Sequence, residues 1–271
     1  MPQKAFGEFF QEVGGGLLNH EVITDNPYTK WFKLGVANPA QVMDLFRQFS
    51  VFSNYFLVIQ CKNMVFAETE EEELGARSIL GSELGVKMDI ATGNIQGGRF
   101  SHKKAHINWL RDTATPLCKD FGIDCKILGR WDLGYPTTHE FLKRLECFYA
   151  NPDRNRRAGA SFAVEQWAAF GIGHGPENED NNFWRELVVG LEKFNQAHRL
   201  PKNLKPIDPK FFQWHFDIEI GHAHNVTEQL RAVYDTSVFN PELWLEGGYG
   251  ALDALSIFWD GLNEARTRLA V

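Results

Sequence analysis

Three histidines fall close together in the stretch Phe-Phe-Gln-Trp-His215-Phe-Asp-Ile-Glu219-Ile-Gly-His222-Ala-His224. On a helix that turns about 100° per residue, His215, Glu219 and His222 share an arc of about 60°, whereas Asp217 and His224 point away. Two imidazoles and a carboxylate on successive turns form a donor set that iron, manganese or zinc accepts. The same spacing also suits a polar surface face or a hydrogen-bonded core cluster.

Glu165 stands in Ala-Ser-Phe-Ala-Val-Glu165-Gln-Trp-Ala-Ala-Phe, with Ser161, Phe162, Ala168 and Ala169 as its helical neighbours. A helix that is apolar or small almost all round is expected to be buried. An ionised carboxylate inside it costs several kcal/mol unless a cation or a metal answers it. Glu165 therefore needs a partner, either a structural salt bridge or an ion. Glu83 follows Ile79 and Leu80 at helical spacing, and His102 and His106 lie one turn apart beyond a Gly-rich loop. Glu83 and His106 are both expected to face inward. An inward histidine is equally satisfied as a hydrogen-bonded core residue.

The elements that must position these groups are helices. An Asn or Asp cap followed by Pro marks helix starts at Asn26-Pro27, Asn38-Pro39, Asp208-Pro209 and Asn240-Pro241. After Pro39, the residues Val42, Phe46, Phe49, Phe56 and Ile59 form the stripe of a long amphipathic helix reaching about Ala67. Periodicity predicts further helices near 4–12, 69–85, 101–120, 138–149, 157–171, 181–197, 209–235 and 241–268. Cys125 to Leu128 is the one stretch expected to be extended. Glu68 to Glu73 reads as an acidic, solvated helix start, where the dipole favours negative charge. Gly93 to Gly98, Asn151 to Arg154 and Gly171 to Asp180 are short turn-rich connections, so an interdomain linker is not expected. The reading is a single all-α domain over residues 1–271.

The chain of 271 residues is 44% hydrophobic and carries a formal charge of −7, a balance that disfavours nucleic acid and anionic membrane surfaces as partners. Without a signal-like start or a membrane-length apolar run, the expected location is the cytoplasm. Cys61, Cys118, Cys125 and Cys147 contain no CxxC pair and are expected to be reduced thiols.

A buried Glu, an E-L-G turn with a later His, and an H-x3-[D/E]-x2-H helix together resemble the heme-oxygenase-like diiron oxidases and oxygenases. Leu17-Leu-Asn-His-Glu, Trp31-Phe-Lys-Leu-Gly and Gln48-Phe-Ser-Val-Phe-Ser-Asn-Tyr-Phe56 are similar to the opening helices of that fold. The resemblance runs from about residue 16 to 235, and the fold is shared with thiaminase II, pyrroloquinoline quinone synthase and heme oxygenase. It implies a heme-oxygenase-like helical bundle with Glu83, His106, Glu165, His215, Glu219 and His222 as metal ligands. In that reading Glu165 is the bridging, catalytic carboxylate. Glu219 replaces the more usual Asp, and the long interval after Glu83 leaves His102 as a rival to His106. The resemblance also places a Glu ligand just before Phe56, where this chain has Asn54. That difference would weaken the first metal site, reduce it to one ion or remove it.

The implied cofactor is iron, as two ions, with a single ion or manganese as alternatives. The implied partners are dioxygen and a small organic substrate, with a homodimer left open. The implied reactions are N-oxygenation, oxidative C–C cleavage or decarboxylation, with Trp167, Phe170, Trp214 and Phe216 as pocket walls. Two other readings belong to the same fold. One is a cofactor-independent enzyme similar to thiaminase II or pyrroloquinoline quinone synthase, with Cys147 as nucleophile. The other is a non-catalytic metal-binding protein.

Overall fold

Side-chain caps set the starts of several long helices. The Asn26 side chain accepts the backbone N–H groups of Tyr28 and Thr29, Asn38 and Gln41 form a reciprocal capping box, and Asn240 accepts from Glu242 and Leu243. The computed structural model describes residues 4–87, 89 and 95–270. In chain order the helices are α1 (Phe6–Gly15), α2 (Glu21–Thr24), α3 (Pro27–Lys33), α4 (Pro39–Val65), α5 (Glu70–Glu83), α6 (His106–Asp120), α7 (Pro136–Tyr149), α8 (Arg154–Ala169), α9 (Pro176–Glu179), α10 (Phe183–Phe194), α11 (Lys210–Tyr234) and α12 (Pro241–Arg268). Single 3₁₀ turns and one π turn after α10 join some of them.

The fold is all-α. Among the described residues there is no strand, and one antiparallel bridge, Val86 with Phe100, closes the base of the loop between α5 and α6. Of the expected Gly93–Gly98 connection, residues 93 and 94 lie outside the described residues. Cys125–Ile127 forms a 3₁₀ turn, so the extended conformation expected there is not adopted. The helix expected over 101–120 is divided: a 3₁₀ turn at His102–Lys104 precedes α6, because Ala105 adopts a non-helical conformation. Helix α8 begins three residues earlier than its apolar pattern suggests, since Asp153 caps it by accepting from Asn155 and Arg156.

The expectation of four reduced thiols is also corrected. Cys118 and Cys125 form a disulfide across a Cα–Cα distance of 5.7 Å. The chain leaves α6 through Gly122, at φ +64°, and returns Cys125 to the last turn of the helix. A CxxC search does not register a pair brought together by that reversal. Cys61 and Cys147 are free and exposed. Among the described residues no helix is long and apolar enough to cross a membrane.

Helix α12 lies against α7 and α8, and α8 in turn lies against α11. Glycines permit the closest of these approaches. A Cβ on Gly159 of α8 would lie 1.8 Å from the backbone oxygen of Trp244, and one on Gly247 of α12 would lie 2.0 Å from that of Arg156. Backbone cannot yield as a side chain does. Gly159→Ala is expected to cost about 3 kcal/mol of stability, the upper end for overpacking. Gly14→Ala on α1, with open space around it, should be neutral or slightly stabilising. Comparing the two thermal midpoints checks this prediction.

Candidate metal centre

Four helices deliver the six sequence-selected groups to one place. Glu83 ends α5, His106 opens α6, Glu165 lies on α8, and α11 supplies His215, Glu219 and His222. All six line a single cavity of about 70 Å³. Its remaining walls are aromatic and aliphatic. Phe49, Phe52 and Phe56 come from α4, Trp184 from α10, Trp167 from α8 and Trp214 from α11.

The polar groups form two adjoining clusters. In one, His222 Nδ1 lies 3.2 Å from a Glu165 oxygen and 3.1 Å from a Glu219 oxygen. Glu165, Glu219 and His222 each present a donor atom within 4.8 Å of the others, close enough to share an ion. In the other, His106 Nδ1 is 2.7 Å from a Glu83 oxygen, and the His106 and His215 rings are 4.6 Å apart. His215 Nδ1 is 2.8 Å from the backbone oxygen of Phe211, the residue one turn before it. An Nδ1–H donated to that carbonyl leaves the Nε2 lone pair as the ring's donor, the arrangement common for a metal-bound imidazole. Trp184 stacks on the His215 ring at 4.4 Å and fixes its plane.

Burial makes this concentration of charge costly without a cation. It pushes the Glu219 carboxyl above its ordinary range, an effect that His222 opposes. Burial also works against charged His222, yet Glu219 and Glu165 together hold its pKa well above the usual imidazole value. His215 is driven well below that value by burial and by nearby His106, so it is neutral at pH 7.

The donor set fits a metal on a second count. Seven buried side-chain polar atoms among the described residues have no hydrogen-bond partner, and four belong to residues lining this cavity. They are Ser82 Oγ, His106 Nε2, Trp167 Nε1 and Trp184 Nε1, of which the His106 nitrogen is the one suited to a metal, since the two indole N–H groups can only donate. Buried polar atoms are rarely left unpaired unless something absent from the chain answers them.

Several sequence expectations are redirected. His102 is exposed and its ring contacts Asn108, so only His106 reaches the cavity. Asn54 turns from the cavity and donates to the Gly129 carbonyl at 2.9 Å, while Ser53 occupies the cavity face of α4. The neutral amide of Asn54 therefore removes nothing from the six-group set. Of the expected walls, Trp167 and Trp214 line the cavity, whereas Phe170 is exposed and lies outside it and Phe216 packs against the core. Cys147 lies in a separate groove between α4 and α7, shared with Cys61. The cysteine-nucleophile reading thus has no support from this cavity.

Sequence reasoning missed Tyr149. Its hydroxyl donates to Glu165 Oε1 at 3.2 Å and accepts from Gln60 Nε2 at 2.9 Å. Burial and the Glu165 charge push its pKa well above the ordinary phenol value, so it stays a donor. Tyr149→Phe is expected to weaken metal binding by about ten- to a hundredfold. It also strands the Gln60 amide, at a cost of about 1–3 kcal/mol. Chelator competition, together with the thermal midpoint of metal-free protein, separates the two effects.

Neither family models nor curated protein sequences match this chain. Solved structures do. Two crystal structures of a CADD-like protein of unknown function from Nostoc punctiforme superimpose along nearly the full length. One gives a TM-score of 0.64 at 15% identity, covering 96% of this chain and 95% of that one. The other gives 0.61 at 14% identity, covering 98% and 97%. At this identity the likeness establishes a shared helical fold and leaves function to the site.

Proposed function

We propose that the chain is a non-heme iron oxidoreductase whose cavity holds two irons and uses dioxygen to oxidise a small organic substrate. The observation that carries this reading is the convergence of three carboxylates and three imidazoles from four helices on one aromatic-walled cavity. The sequence resemblance to heme-oxygenase-like diiron oxidases points the same way.

Glu83, His106 and His215 would hold one ion, and Glu219 and His222 the other, with Glu165 placed to bridge. Three carboxylates against two divalent ions leave a small net charge, which a buried site tolerates better than three unpaired anions. Bound iron would supply redox activation of dioxygen at positions the protein leaves open. The chain's own residues do the rest. Neutral His215 is locked by Phe211 and Trp184 with its lone pair available. Tyr149 holds Glu165 in place through its hydroxyl. Phe49, Phe52, Phe56 and Trp184 exclude water from around the polar cluster.

Anaerobic titration of metal-free protein with ferrous ion, followed by an oxygen pulse in an electrode cell, tests the reading. The expected result is saturation at about two ions per chain followed by oxygen uptake. Binding without uptake, with any substrate supplied, would replace it with the non-catalytic metal-binding reading. No binding of ferrous or manganous ion would overturn it.

A further inference from the structure

The loop between α5 and α6 carries charge opposite in sign to that of the whole chain. The chain has a formal charge of −7, yet the described residues of the loop expose Lys87, Arg99, Lys103 and Lys104 against the one carboxylate of Asp89. Among the described residues none of these four cations has a carboxylate partner. Lys87 and Arg99 stand opposite each other on the ribbon at the loop's base, where the Lys87 N–H donates to the Arg99 carbonyl at 3.0 Å and Val86 bridges to Phe100. Like charges placed across a ribbon destabilise it, so the fold gains nothing from this pair. A Cβ on Gly85 would meet the Ser101 oxygen at 2.4 Å and the Ala105 nitrogen at 2.5 Å. The returning segment therefore lies against the end of α5 and gathers the four cations into one patch. Phe100, 66% exposed, and Leu84, 44% exposed, stand in the same patch.

Two residues of the polar cluster flank this loop, since Glu83 is the last residue of α5 and His106 the first of α6. Lys104 holds its ammonium 3.7 Å from the ring centre of half-buried Trp109. The Trp109 and Trp214 rings are 5.7 Å apart, and Trp214 is 5.2 Å from the His106 ring and 5.0 Å from that of His215. Two indoles in contact thus join the loop to two imidazoles of the cavity. Packed rings carry a single electron by tunnelling far better than an equal span of water. Exposed Asp112 and Asp217 follow a turn beyond the two indoles on α6 and α11 rather than on the loop, and Gln213 holds Asp217 at 3.0 Å.

We propose that this patch is the docking surface for an acidic one-electron carrier protein, which delivers electrons to the metal centre through Trp109 and Trp214. Electron-transfer partners meet through small, transient interfaces in which charge steers the encounter. The four cations receive the carrier's acidic face, and Phe100 and Leu84 supply apolar contact. At physiological salt, exposed charges are screened beyond about 8 Å, so a docking partner responds to the loop rather than to the charge of the whole chain. An anionic lipid surface would meet the same cations but has no use for a row of indoles. Returning two ferric ions to the ferrous state takes two electrons. Each visit oxidises one carrier and reduces one iron, and no bond forms or breaks. Electron delivery rests on the metal-centre reading, whereas docking does not require a metal.

Titration of metal-free protein with an acidic plant-type 2Fe–2S ferredoxin tests docking, and stopped-flow mixing of the reduced ferredoxin with ferric-loaded protein tests delivery. Binding is expected at low salt and should weaken steeply as salt rises. Lys103→Glu combined with Lys104→Glu should lower the affinity at least about tenfold. Lys87→Glu should also lower it while raising the thermal midpoint, because it turns a repulsion across the ribbon into an attraction. Trp109→Ala should cut the limiting rate of iron reduction at saturating ferredoxin, with the iron stoichiometry unchanged. Absence of salt-dependent binding, or equal affinity in the charge-reversed variant, would overturn the docking surface. Binding to phosphatidylserine vesicles without binding to ferredoxin would overturn it as well. An unchanged limiting rate in Trp109→Ala would overturn the indole route. Ferredoxin docking by a protein that takes up no iron would overturn the metal-centre reading and leave the surface standing.

Discussion

Glu165→Ala is expected to lower ferrous affinity by about two orders of magnitude or more, with stoichiometry falling below two ions per chain and oxygen uptake dropping to background. The size of the effect follows from Glu165's position. One of its oxygens lies 3.2 Å from His222 Nδ1 and the other takes the Tyr149 hydroxyl, so it is the anchored carboxylate of the His222 cluster. Alanine removes a donor that no neighbour can replace, since Ser161 reaches only the Tyr149 oxygen. The metal-free fold should survive, because His222 keeps Glu219 as its partner at 3.1 Å. An unchanged far-UV spectrum with lost binding is thus the expected pair of observations. His215→Ala should likewise lower binding through the other cluster. Ferrous binding and oxygen uptake preserved in both variants would remove the proposed centre.

The legible part of this site was the part carried by one helix. His215, Glu219 and His222 share a face of α11 because of helical period alone, and Glu165 was marked by the apolar surroundings that make an isolated carboxylate expensive. The meeting of Glu83 with His106 depends on how the chain returns from α5 to α6, so spacing could not separate His106 from His102. The break at Ala105, which exposes His102 and starts a new helix at His106, decides between them. Asn54 misled for a related reason. Adjacent positions on α4 lie about 100° apart, and the cavity face belongs to Ser53. The aromatic walls could not be told from core packing, since Phe49 both lines the cavity and packs edge-on against Phe52, Trp184, Phe212 and Phe258. Tyr149 reaches Glu165 from a neighbouring helix, and the disulfide forms across a chain reversal. Neither leaves a periodic trace.

Metal binding at neutral pH is expected to release about one proton per chain from His222, with a further fraction from Glu219. The polar cluster of the metal-free protein is held together by a charged imidazole: Glu219 and Glu165 keep His222 protonated well above the ordinary value of 6.5. A metal ion that takes those carboxylates and the imidazole must displace that proton. Neutral His215 has none to give. The same residues set the sign of the stability change. A raised His222 pKa contributes stability to the metal-free fold that is complete below the unfolded value, about 6.5, and is lost as pH rises through the folded value. Raised Glu219 adds a loss in the same direction, because its buried carboxyl is disfavoured once ionised. His215 runs the other way, costing stability only as pH falls below about 6.5. On the alkaline side of neutrality the metal-free protein should therefore weaken while metal affinity strengthens. The gap between metal-loaded and metal-free thermal midpoints should widen as pH rises from about 6.5. Titration calorimetry in buffers of different ionisation enthalpy measures the protons released. A count of zero, or a gap that narrows with rising pH, would mean that the ion leaves the His222 pair untouched and binds elsewhere.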